Sequence, residues 1–137
     1  HQKDVELILR AFGLCNHLNE YEKPMKEFLN KVARKYEKLN SHKVDKFTND
    51  FKSTTEFISK NLRQKPFNVR GPLNTSIFDS IFCTILNNLK SIPENLQERY
   101  EKLLVDNKFV EYTSLATTDA KIVKERFAYV KSILIDK

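Results

Sequence analysis

The sequence predicts an all-α fold: a single bundle-like domain of about six helices over residues 1–137, with one irregular Pro/Gly-containing connection. Three observations carry this reading. Only two of the 137 residues are glycine, Gly13 and Gly71, where average usage would supply roughly ten. Hairpin turns and barrel corners consume glycine, which disfavours an all-β fold. Every apolar pattern in the chain also has helical period, and the non-helical punctuation gathers in one stretch, Gln64 to Asn74. A chain of this length buries roughly two-thirds of the surface it exposes unfolded, so a core forms without metals or disulfides.

The elements follow in order. Val5, Ile8, Leu9 and Phe12 keep the i, i+3, i+4, i+7 spacing of one helical face, and Leu7, Ala11 and Leu14 widen it toward full burial. Asp4 suits the positive end of this helix. A turn near Asn19–Glu22 leads to Pro24, expected at the first position of a second helix. Met25, Phe28, Leu29, Val32, Tyr36 and Leu39 form its stripe, and Asn40-Ser41-His42 ends it. A third helix runs from about Val44 to Leu62 through Phe47, Phe51 and Ile58.

Pro66 and Pro72 then bias their predecessors out of the helical region, and Gly71 permits a positive φ. Ser76 with Asp79 three residues on resembles a capping box. The helix it opens, through Ile77, Phe78, Ile81, Phe82, Ile85, Leu86 and Leu89, is the most apolar in the chain and belongs at the centre of a bundle. Pro93 starts a helix through Leu96, Tyr100, Leu103 and Leu104 that ends near Asn107. Phe109–Leu115 reads as either a short strand or an extended link, and Thr117-Thr118-Asp119 caps a last helix with Val123, Phe127, Val130 and Leu134.

Composition and spacing remove several chemistries. Gly-rich phosphate loops need glycines close together, and here they are 58 residues apart. His1, His17 and His42 have no ligand spacing among them, and Cys15 and His17, two apart on a helix, point away from one another. No metal site and no cofactor is expected. Cys15 and Cys83 fall inside apolar helical patterns and read as buried free thiols in a reducing cytosol. Glu20/Glu22 and Glu98/Glu101 read as solvated helix-surface charge, so no catalytic residue is assigned. There is no eighteen-residue apolar run and no signal-peptide layout, which points to a cytoplasmic protein without a membrane partner. A first residue of His1 rather than Met points to a segment of a longer protein.

Charge is the remaining functional signal. Residues 1–70 carry 15 basic and 9 acidic groups, whereas 71–137 carry nine of each. The surplus gathers in two clusters. From Lys31 to Lys46 there are Lys31, Arg34, Lys35, Lys38, Lys43 and Lys46 against Glu37 and Asp45. From Phe57 to Phe78 there are Lys60, Arg63, Lys65 and Arg70 with no acid, beside Phe67, Asn68 and Asn74. A solvated helix face and an ordinary loop explain such clusters structurally. Contact with phosphates and bases explains them functionally, and Lys31, Arg34, Lys35, Lys38, Lys60, Arg63, Lys65, Asn68 and Arg70 are the candidate nucleic-acid contacts. Arg10 lies inside an almost wholly apolar helix, where a charge is costly unless paired. Its partner is either Glu6 on the same helix or an acid on another helix, the second reading being preferred.

Three stretches resemble the helical portion of the GmrSD-type restriction-endonuclease family. They are Lys3-Asp4-Val5-Glu6-Leu7-Ile8-Leu9-Arg10-Ala11-Phe12, Lys23-Pro24-Met25-Lys26-Glu27-Phe28-Leu29-Asn30, and Phe67-Asn68 with Asn74-Thr75-Ser76-Ile77-Phe78-Asp79. Thr117-Thr118-Asp119 and Lys124-Glu125-Arg126-Phe127 also fit the end of that region. The resemblance implies a prokaryotic defence protein that hydrolyses nucleoside triphosphates and cleaves phage or modified DNA. It places the chemistry in an N-terminal ParB-like subdomain with an Asp-Gly-Gln-Gln-Arg-like motif, or in a separate His-Asn-His nuclease domain. This chain contains no Asp-Gly pair and no such histidine motif. The expectation is a non-catalytic helical module whose partners are the remainder of the parent polypeptide and DNA. The alternative is a protein-interaction or dimerisation module without a nucleic-acid role, using the apolar first helix.

Overall fold

One helix has a sequence that leaves it no solvent face, and the others pack around it. In the computed structural model, which describes residues 2–37 and 42–137 without the side chains of 2–4, that helix is α4 (Thr75–Leu86), buried at every residue from Ser76 to Leu86. The other described helices are α1 (Gln2–His17), α2 (Met25–Tyr36), α3 (His42–Asn61), α5 (Leu96–Leu104), α6 (Asn107–Tyr112) and α7 (Ala120–Leu134). A 3-10 turn at Leu18–Glu20 follows α1, and no strand occurs among the described residues. Helices α1, α3 and α7 pack on α4; α2 lies outside α1, and α5 and α6 lie outside α7. The expectations placed on His1, Asp4, Lys38, Leu39, Asn40 and Ser41 lie outside the described residues. No described helix is long and apolar enough to cross a membrane.

Aromatic rings thread this arrangement. Tyr36 and Phe47 meet Phe12 edge-on at 5.0 and 5.1 Å, and the chain of rings continues through Phe51, Phe82 and Phe78 to Phe67 in the irregular connection. Each such pair contributes about 0.5–1.5 kcal/mol beyond its buried area. Gly13 lets α2 come close to α1: a Cβ there would stand 3.1 Å from a Phe28 ring carbon and 3.2 Å from a Leu29 methyl.

Several local readings are corrected. Asn74, not Ser76, caps α4, and its side-chain oxygen accepts from the backbone N–H groups of Ser76 and Ile77 at 2.9 and 3.1 Å. Asp79 does not serve as the acid of a capping box, because it is fully buried and paired with Arg10. Pro24 is the N-cap of α2 rather than its first residue, α4 begins one residue before Ser76 and ends at Leu86 rather than Leu89, and α5 lies inside the range expected for it. The segment read as a strand or link is helix α6, held at its start by Asp106, whose carboxylate accepts from the Phe109 N–H at 2.9 Å. Asp119 caps α7 in the same way through Ile122, and Gly71 takes a φ of +128°.

The cysteines are also corrected. Cys15 and Cys83 are not free thiols but form a disulfide, with Cα atoms 5.1 Å apart. Their helical patterns reveal burial, whereas pairing depends on α1 and α4 lying side by side 68 residues apart in the chain.

The second fixed point of the α1–α4 contact is ionic. The Arg10 guanidinium pairs with Asp79 through Nη2–Oδ2, with Nε 3.4 Å from Oδ1. Arg126 of α7, 1% exposed, acts on the same carboxylate through space while its Nη1 donates to the Tyr112 carbonyl at 3.0 Å. Burial pushes the Asp79 carboxyl up from its ordinary range, against the pull of the Arg10 and Arg126 guanidinium groups. Burial also brings Arg126 down to about 10.

Three tyrosines make the fold sensitive to alkali. Tyr21 and Tyr100 donate to the carbonyls of Thr118 and Pro66 at 2.6 and 2.5 Å, and Tyr129 donates to the Asp106 carboxylate at 2.8 Å. Burial raises the pKa of all three, those of Tyr100 and Tyr129 to about 12. Between pH 10 and 12 the unfolded chain has lost protons that the folded chain retains, so stability falls as pH rises through this window. Denaturant melts at pH 9, 10 and 11 should show a midpoint that drops beyond pH 10. A flat midpoint would mean the hydroxyls are not held as described.

Candidate nucleic-acid interface

The candidate cations do not form one patch. On α2, the apolar residues Phe28, Leu29 and Val32 turn inward, which leaves Lys31, Arg34 and Lys35 exposed. Lys31 and Arg34 make no ion pair among the described residues, and Lys35 stands 3.7 Å from Glu20. Lys38 is outside the described residues. The second set occupies the far end of α3 and the connection after it. Lys46 and Lys60, fourteen residues apart on α3, project within about 40° of each other and about 21 Å apart along the axis. Lys46 bonds Asp50 at 2.5 Å, whereas Lys60 is exposed and unpaired.

The connection holding Arg63, Lys65, Asn68 and Arg70 is pinned from beneath. Tyr100 reaches the Pro66 carbonyl, Gln97 donates to Leu62 at 3.4 Å, and the Asn74 amide donates to Thr113 at 3.2 Å. Two of its four candidates have structural partners. Arg63 pairs with Glu101, lies 5.6 Å from the Tyr100 ring centre, and is held above its ordinary pKa chiefly by the Glu101 hydrogen bond. Arg70 stands 3.4 Å from the Thr113 hydroxyl. Lys65 is exposed and unpaired, and the Asn68 side chain has no hydrogen-bond partner among the described residues.

Arg63, Lys65 and Asn68 do converge, on a cleft of about 380 Å³ between α3, the connection and α4. Phe51, Phe67, Phe78 and Phe82 line it, and Leu73, 39% exposed, stands at its mouth. The sequence pointed to the cations but not to the cleft, since its phenylalanines come from three segments whose periodicity shows only burial.

A second feature lies at the opposite end of the chain of rings. Val5 and Ile8, 65% and 44% exposed, open onto an apolar groove of about 540 Å³ between α1, α2 and α3, with Phe12, Val32 and Phe47 lining it. Tyr36, also on its wall, has its hydroxyl 2.8 Å from His17 Nε2, and His17 Nδ1 donates to Glu20 at 2.5 Å. Glu20 is solvent-exposed, as its sequence reading has it, but its bond to the buried His17 was not foreseen. The His17 hydrogen bond is the main cause of a lowered Glu20 pKa. No group of three or more His, Cys, Asp or Glu side chains among the described residues could hold a metal ion.

Comparison with protein-family models, curated proteins and solved structures returns no match for this chain.

Proposed function

We propose that this chain is a non-catalytic helical module of a GmrSD-like restriction or phage-defence protein, and that it holds nucleic-acid backbone with the exposed cations of α2, the end of α3 and the following connection. The observation that carries the reading is that Lys31, Arg34, Lys60 and Lys65 are exposed and have no acidic partner among the described residues. Charges left unpaired are free to replace counterions on phosphates. The family resemblance supplies the setting, a cytoplasmic protein acting beside a catalytic subdomain on the same polypeptide. A persistent disulfide belongs to an oxidising compartment, so the Cys15–Cys83 bridge weighs against the cytoplasmic part of this setting.

Four phosphate contacts predict that log affinity for a fluorescent duplex falls against log salt with a slope near −3.6, at about −0.9 per phosphate. Absence of binding at low ionic strength would remove the nucleic-acid part of the reading.

The groove at Val5 and Ile8 supports the second reading, a protein-docking module. An exposed apolar face of this kind marks a contact site in many proteins. Light scattering over a hundredfold concentration range would register self-association through it, and a strict monomer that binds no other part of its parent chain would count against it.

A further inference from the structure

Resting on the polyanion reading, we infer that the phenylalanine cleft is a base-binding site, taking one base of a single-stranded nucleic acid while Lys65 and Lys60 hold the adjoining phosphates. The cleft joins two kinds of surface that such a ligand needs together. Its floor is aromatic: the partly exposed Phe51 lies 4.8 Å from Phe82, and the buried rings Phe82, Phe78 and Phe67 back it, Phe82 to Phe78 at 5.2 Å and Phe67 to Phe78 edge-on at 5.3 Å. Base stacking on such rings tolerates any sequence, because every base has a π-face. Its volume of about 380 Å³ falls at the small end of the ligand-pocket range, room for a base and its sugar.

Its charge selects the occupant. Among the described residues no carboxylate lines the cleft, and the Glu101 carboxylate that bonds the lining residue Arg63 is neutralised by it. Lys65 on the rim remains unpaired, with unpaired Lys60 one residue along α3 from the lining residue Ser59. A neutral apolar ligand would leave these cations without a use, whereas a planar ring carrying a phosphate satisfies floor and rim together. The unpartnered Asn68 amide on the wall is placed to bond a base edge. In a duplex the base is stacked inside the helix and cannot enter without flipping out, which makes the single strand the fitting partner.

The test compares three labelled 12-mers at low salt: thymidine single strand, an abasic single strand of the same backbone, and a duplex. The thymidine strand should bind about tenfold tighter than the abasic one, the size expected of one base stacked on an aromatic floor. Ser59→Trp, on an exposed helical position, fills the cleft and should erase that tenfold while leaving duplex affinity unchanged. Lys65→Ala keeps the test open if the tryptophan variant fails to fold, and should lower the single-strand salt slope by about 0.7. Equal affinity for thymidine and abasic strands would overturn the base site and leave the backbone reading intact. Failure of all three probes to bind would overturn both.

Discussion

Asp79→Ala should destabilise the fold by about 3–5 kcal/mol, the cost of breaking a buried ion pair from one side. The substitution leaves Arg10, whose side chain is 12% exposed, and the buried Arg126 facing each other with no anion between them. Against a total stability of about 5–15 kcal/mol for a domain of ordinary size, this brings the protein close to unfolding at room temperature. Pairing Asp79→Leu with Arg10→Met should recover part of the loss, because Arg10 is then no longer buried without its partner, whereas the buried Arg126 still lacks the anion it faces. Urea melts of Asp79→Leu, Arg10→Met and the double variant, set against the parent, form the cycle. A loss under about 1 kcal/mol for Asp79→Ala would mean that Arg10 and Asp79 do not tie α1 to α4.

Reduction of the disulfide should have an effect of similar size. Cys15 and Cys83 are 68 positions apart in the chain, and loop-closure entropy for that length is about 4 kcal/mol, measured bridges ranging from nearly zero to about 5. For a domain of this size that corresponds to roughly 15 °C in melting temperature. The oxidised protein should therefore melt lower after dithiothreitol, and Cys83→Ser should melt at the reduced value whether or not reductant is present. Identical melts with and without reductant, together with two titratable thiols in the unreduced denatured protein, would show that the sulfurs are not bonded in the isolated protein.

Both effects converge on the α1–α4 contact, and the sequence made its two tethers unequally legible. A charge after Leu7-Ile8-Leu9 inside an apolar helix demands a partner, which the sequence left open between Glu6 and an acid on another helix, without naming Asp79. The cysteine pair announced nothing, since burial alone explains a cysteine on an apolar face. Arg126 was legible in principle: it lies three residues after Val123 and four before Val130, on the buried stripe of α7. Helix α6 escaped notice because six residues are too few to establish a period, and its single buried residue, Phe109, is equally at home in a strand.

The same distinction runs through the candidate interface. Exposure of Lys31, Arg34 and Lys60 followed from the apolar stripes on the opposite faces of α2 and α3. Removal of Arg63 and Arg70 from the free set did not, because Glu101 and Thr113 lie 38 and 43 residues away in sequence. Tertiary partners of that kind leave no periodic trace.

The most direct measurement is the salt dependence of duplex binding in a variant with Lys31, Arg34, Lys60 and Lys65 all changed to alanine. All four are exposed, so the fold should survive, as a thermal melt will verify. If these cations hold the backbone, the slope near −3.6 collapses toward zero, by about 0.9 for each residue removed. A variant that binds duplex with the parental slope would contradict the account.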